Sequence, residues 1–162
     1  MRVLVAAASK YGSTTEIAEA IGRALDERGI EATVASPETV TSLEEYDAVV
    51  LGSAVYAGRW QREAKEFVER AGRALLERPV WLFSSGPIGD PPKPEEDPVD
   101  AADLIEATKA RDHRVFPGKL VKKHLSFPEK AIVMALRAPE GDFRDWNAVR
   151  GWASEIAAAL RG

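Results

Sequence analysis

The chain has 162 residues, 45% hydrophobic and 30% charged, with a formal net charge of −4. That length suits one domain with a substantial core, and the balance is that of an ordinary globular protein, neither disordered nor built of membrane spans. Cysteine is absent, which excludes disulfides, thiolate zinc sites, cysteine-ligated clusters and thiol redox chemistry, and the mild negative charge gives no general reason to bind nucleic acid.

Val3–Ala8 is apolar without alternation, the pattern of a parallel strand buried on both faces. It runs into Ser9-Lys10-Tyr11-Gly12-Ser13-Thr14-Thr15-Glu16, and because the apolar run ends in a turn with a structural role, no signal peptide is expected at the start. Ser13 and Glu16 have the spacing of a capping box, Ile17, Ile21 and Leu25 recur every four residues, and Gly29 supplies the stop. A strand, a hydroxyl-rich turn and a helix start with outward N–H groups suit an anion, above all a phosphate monoester. Ser9, Ser13, Thr14 and Thr15 are the expected donors, with Lys10 a solvated residue at the rim. The plain alternative is a helix cap that holds no ligand.

Glu31–Ala35 reads as a short second strand and Ala48–Leu51 as a central third, closed by Gly52-Ser53. Ala54 to Trp60 is expected to be a loop. A surface helix follows, with Ala64, Phe67, Val68, Ala71 and Leu75 on one face. Val80–Phe83 is the fourth strand, ending in Ser84-Ser85-Gly86. Prolines at 87, 91, 92, 94 and 98 make the next stretch a long loop. A weak helix over Val99–Lys109 leads to a fifth strand near Arg114–Phe116. Residues 118–143 read as an insertion with its own apolar segment, Ala131–Leu136, expected to be helical after Pro128. Asp145 then caps a helix in which Trp146, Val149, Ala153, Ile156 and Leu160 share a face. Trp81, Trp146 and Trp152 read as core, and His113 and His124 as structural or solvated. Neither a catalytic side chain nor a metal site is expected.

Strands alternating with helices describe one α/β domain over 1–162, an open parallel sheet with helices on both faces. Ligands of such sheets sit beyond the carboxyl ends of the strands. Three loops leave those ends: Ser9 to Thr14, Ser53 to Trp60, and Ser84 to Asp90. The first has neither the G-x-G-x-x-G of a dinucleotide turn nor the G-x-x-x-x-G-K-[ST] of a nucleotide triphosphatase. The acidic residues of a phosphoacceptor domain are missing too.

The order Ser9-x-x-Gly12-Ser13-Thr14 after the first strand resembles the phosphate loop of flavodoxins, which bind FMN, and Tyr46–Gly52 resembles their third strand and its glycine exit. The fold implied is the flavodoxin-like three-layer sandwich with strand order 2-1-3-4-5. More narrowly, Gly52–Trp60 and the later insertion are similar to the flavodoxin-like menaquinone-dependent protoporphyrinogen oxidases. By that resemblance FMN is held by Ser9, Lys10, Tyr11, Gly12, Ser13, Thr14 and Thr15 at its phosphate. Ser53, Ala54, Val55, Tyr56, Ala57 and Gly58 border one face of its ring, and Ser85, Gly86, Pro87, Ile88 and Gly89 the other edge. Tyr56 or Trp60 would cover one face, or else anchor the loop by packing on it. Gly58, or the Ala57-Gly58 peptide, would reorient as the flavin changes redox state.

The function so implied is an FMN-dependent oxidoreductase that oxidises a porphyrinogen-type substrate and passes electrons to a quinone. Its competitors are a non-enzymatic electron carrier docking a redox partner, and a flavin-free interaction module. The expected location is cytoplasmic. Lys119, Lys122, Lys123, Lys130 and Arg137 against Glu129 in 118–139 suit peripheral contact with an anionic membrane, although most such lysine sets are solvated faces.

Overall fold

The computed structural model describes residues 1–9, 12–56, 58–86, 100–117, 119–120, 141–142 and 144–161. Strand β1 (Arg2–Ala8) is followed by α1 (Ser13–Asp26), β2 (Glu31–Ala35) and a 3-10 turn at Pro37–Thr39. Then come β3 (Ala48–Tyr56), β4 (Arg59–Trp60), α2 (Arg62–Ala71), α3 (Arg73–Leu76), β5 (Val80–Ser85), α4 (Ala101–Thr108) and β6 (Asp112–Phe116). Two-residue strands β7 (Lys119–Leu120) and β8 (Gly141–Asp142) precede α5 (Trp146–Arg161). The long strands pair in parallel in the order β2-β1-β3-β5-β6. This is the flavodoxin-like order expected from the sequence, once the short antiparallel β4 is set aside.

Alternation along β1 divides the core. Val3, Val5 and Ala7 face α1 and α5, packing with Ile17, Ile21, Leu25, Val149, Trp152 and Ile156. Leu4, Ala6 and Ala8 belong to the opposite layer with Phe67, Leu75 and Leu104 from α2, α3 and α4. Ile17, Ile21 and Leu25 are each fully buried, so each contributes about 1.5–3 kcal/mol of transfer free energy on the usual area scale. Trp81 and Trp152 are core, as expected; Trp152 packs edge to face with Phe83 and Phe116 at 6.1 and 5.6 Å, and the two phenyl rings are tilted to each other at 6.1 Å. The Trp152 indole donates to Asp112 Oδ2 over 3.0 Å. Trp146 is only partly buried against this core.

Three boundaries differ from the sequence reading. Strand β3 does not close at Gly52-Ser53. It continues to Tyr56 and turns back into β4, pairing Val55 with Trp60 and Tyr56 with Arg59. Gly52 stays in the ladder because it faces the Phe83 ring, where any Cβ would overlap that ring. The surface helix is two helices broken at Gly72, whose N–H still reaches Val68 O at 2.9 Å. Strand β5 takes in Ser84 and Ser85, both buried. The insertion starts and ends in the antiparallel β7–β8 ribbon. Its expected helix at Ala131–Leu136, Lys122, Lys123, His124, Lys130 and Arg137 lie outside the described residues. Among the described residues no helix is long and apolar enough to cross a membrane.

Candidate functional site

Register across the sheet aligns the ends of three neighbouring strands. Ala8 of β1 pairs with Ser53 of β3, which pairs with Ser84 of β5. The turn after Ala8, the β3–β4 hairpin and the exit of β5 therefore leave the same edge side by side, where α/β sheets bind ligands.

At the first of them the capping box is absent. Gly12, in a left-handed conformation at φ 88°, is the N-cap, and no side chain caps the helix. The serine that acts is Ser9, whose Oγ accepts from the Gly12 N–H over 2.9 Å. A positive φ at this position favours glycine, and no atom would meet a Cβ there. Among the described residues the first-turn N–H groups of α1 have no side-chain acceptor, while Thr14 Oγ1 is buried without a hydrogen-bond partner and the residue is 1% exposed. A buried hydroxyl left unpaired costs about 1–3 kcal/mol. Beside an uncapped helix start, it has the chemistry of a donor kept for an anion.

The sequence reading placed only Lys10, at the rim, as a cation at this turn; Arg144 is a second. Arg144 Nη1 donates to Ser13 O over 3.2 Å and lies 3.3 Å from Glu16 Oε1, and its side chain is only 5% exposed. The guanidinium lies over the Trp146 ring, 4.7 Å from its centroid. Glu16 is thus bound to Arg144 instead of closing a capping box. Arg144 was not legible because it is 131 residues from Ser13; its one local signal is its position beside Asp145, whose Oδ1 accepts from Ala148 N over 3.1 Å as the expected cap of α5.

The second loop is shorter than expected and strongly tied. Ser53 Oγ, fully buried, donates to Ala54 O and accepts from Gln61 N, each over 2.8 Å. Trp60 is 3% exposed and lies in the core layer with Phe67 and Leu82. Its indole donates to Ser84 Oγ over 2.7 Å, and Ser84 Oγ also pairs with His113 Nε2 at 2.8 Å. Trp60 is therefore an anchor beneath the hairpin, not a cover for a ring above it. Asp100 completes the seat, accepting from Trp60 N at 3.3 Å and pairing with Lys65 Nζ at 3.3 Å. The hairpin turns at Gly58, φ 76°. At the third loop, Ser85 and Gly86 are buried, and Gly86 N donates to Phe116 O over 2.7 Å. The candidate residues Lys10, Tyr11, Ala57, Pro87, Ile88 and Gly89 lie outside the described residues.

The chain belongs to the flavodoxin family: a model of the flavodoxin domain matches residues 4–147. Among its relatives is protoporphyrinogen IX dehydrogenase (quinone) of Escherichia coli strain K12, 26% identical over 97% of this chain and 95% of that one. Solved structures agree on the fold. An archaeal flavodoxin superposes with a TM-score of 0.68 at 18% identity, each chain fully covered. Oxidised flavodoxin 1 of Bacillus cereus gives 0.66 at 16% identity, covering 98% of both chains.

Proposed function

We propose that this protein binds FMN at the ends of β1, β3 and β5 and is an oxidoreductase that transfers electrons from a porphyrinogen-type substrate to a quinone. The single observation that carries the cofactor is the uncapped start of α1 with its buried, unpartnered Thr14 hydroxyl. The reaction class is supported by similarity over nearly the full length of both chains to protoporphyrinogen IX dehydrogenase (quinone). When bound, FMN supplies the two-electron exchange.

This chain's residues bind and orient. Ser9 holds the turn at Gly12, which presents the α1 N–H groups and Thr14 to the phosphate. The Ala54–Gly58 hairpin, fixed from below by Ser53, Trp60 and Asp100, borders the ring, and Ser85-Gly86 borders its other edge. Gly58 is the position able to reorient a peptide beside the ring, since its φ of 76° is open to glycine. Each two-electron step removes two hydrogens from the substrate and delivers two to one quinone. The cationic composition of 118–139 suits approach to an anionic membrane, where lipid-soluble quinones reside.

The test is a titration of purified protein with FMN, followed by anaerobic mixing of the loaded protein with protoporphyrinogen and a menaquinone analogue. Saturable one-site binding and quinone-dependent appearance of porphyrin fluorescence are expected. Binding without turnover, joined to rapid electron delivery to a redox protein, would make the chain a carrier. No binding at micromolar FMN would leave an interaction module of flavodoxin fold.

A further inference from the structure

We propose that Arg144 is the charge-balancing cation of the phosphate site, cancelling Glu16 so that the first turn of α1 can accept a dianion. This rests on the reading of the α1 start as a phosphate site and adds the residue that tunes it. Glu16 lies in the first helical turn, where a carboxylate is favourable toward the helix dipole but repels a second anion on the same N–H groups. Arg144 meets that carboxylate at 3.3 Å and the Ser13 carbonyl at 3.2 Å, so a positive charge faces the carboxylate within the turn itself. The guanidinium is held in place by the Trp146 ring at 4.7 Å. The Arg144 side chain is 5% exposed while Glu16 is 54% exposed, so the pair is buried on one side and partly screened on the other.

The docking of α5 on α1 also has an apolar basis apart from the bridge. Val149, Trp152, Ala153 and Ile156 are buried against Ile17, Ala18 and Ile21. What Arg144 contributes is a positive charge on the first turn of α1, at Ser13 O and Glu16, the turn that also holds the unpartnered Thr14 hydroxyl. It is thus a positioning and charge-balancing residue, and it should separate ligands that carry a phosphate from those that do not.

Dissociation constants for FMN, riboflavin and inorganic phosphate, measured at low salt on wild type, Arg144→Gln, Arg144→Lys, Glu16→Gln and the Glu16→Gln/Arg144→Gln double variant, test this. Arg144→Gln should weaken FMN and phosphate about tenfold and leave riboflavin unchanged, as expected for an uncompensated charge at partial screening. Adding Glu16→Gln should recover most of the loss, and Arg144→Lys should stay within about threefold of wild type. Equal losses for FMN and riboflavin, or no recovery in the double variant, would overturn the proposal and make Arg144 a structural bridge. Should Arg144→Gln not fold, Glu16→Gln alone decides: tighter phosphate binding supports the proposal and weaker binding overturns it. If wild type takes phosphate but not FMN, the flavin reading fails while Arg144→Gln against phosphate still tests the clamp. If wild type takes neither, both fail.

Discussion

The Trp60 indole N–H donates to Ser84 Oγ over 2.7 Å, joining the hairpin after β3 to the middle of the sheet. Trp60 is 3% exposed, so this bond is made where an unpaired donor or acceptor has no water to turn to. Trp60→Phe keeps most of the apolar contact and removes the donor. It should cost about 1–2 kcal/mol in urea unfolding, and Trp60→Ala about 3–5 kcal/mol. Both should also weaken FMN binding, because the hairpin proposed to border the ring loses its anchor. A Trp60→Phe protein with full stability would show that the bond is dispensable.

Thr14→Val should have opposite effects on stability and binding. Removing a buried hydroxyl that has no partner should stabilise the ligand-free protein by about 1 kcal/mol. The same change should weaken FMN about tenfold through loss of one donor to a charged group. Thermal unfolding with and without FMN reads both effects. A destabilised ligand-free variant would mean that the hydroxyl is satisfied within the protein.

Gly52→Ala is expected to be among the most damaging small substitutions in the sheet. Its methyl would enter the space of the Phe83 ring, which is itself fully buried between β5 and α5. Overpacking of this kind costs about 1–3 kcal/mol. The double variant Gly52→Ala/Phe83→Leu should be less destabilised than the two single changes added together, and strict additivity in a denaturant series would refute the contact.

Tyr46 gives the pH dependence. Partial burial raises its pKa above the ordinary 10.0, and the hydrogen bond with Glu45 adds to the rise. The unfolded chain therefore loses this proton first, so the folded state binds more protons as pH climbs past 10. This contribution to stability is fully present below that pH and is lost as pH rises through the folded-state pKa. Urea midpoints measured from pH 9 to 11 should fall more steeply for wild type than for Tyr46→Phe; parallel curves would exclude the effect.

Much of this fold was legible locally. Val3–Ala8 and Ala48–Leu51 announce central strands because both faces of a parallel sheet are covered, and Ile17, Ile21 and Leu25 mark the buried stripe of α1. The turn between β1 and α1 was legible as a place but not as a geometry. Ser13 and Glu16 have capping-box spacing, yet Gly12 takes the cap position and Ser9 secures it. Trp60 was misleading for a related reason: an aromatic in a loop looks like a ring cover until the strand before it is known to continue and fold back.

Residue order alone determined the sequence of the main strands and helices, though not all their ends, which sheet edge the three loops leave, and that hydroxyls gather at the first of them. These depend on periodicity and on neighbours a few residues apart. Tertiary structure decided that Trp60 turns inward onto Ser84, that the α1 start is left uncapped, and that Arg144 crosses 131 residues to meet Glu16 and Ser13. Contacts of that range are made by the packing of α5 against α1, and no local spacing encodes which charges that packing brings together.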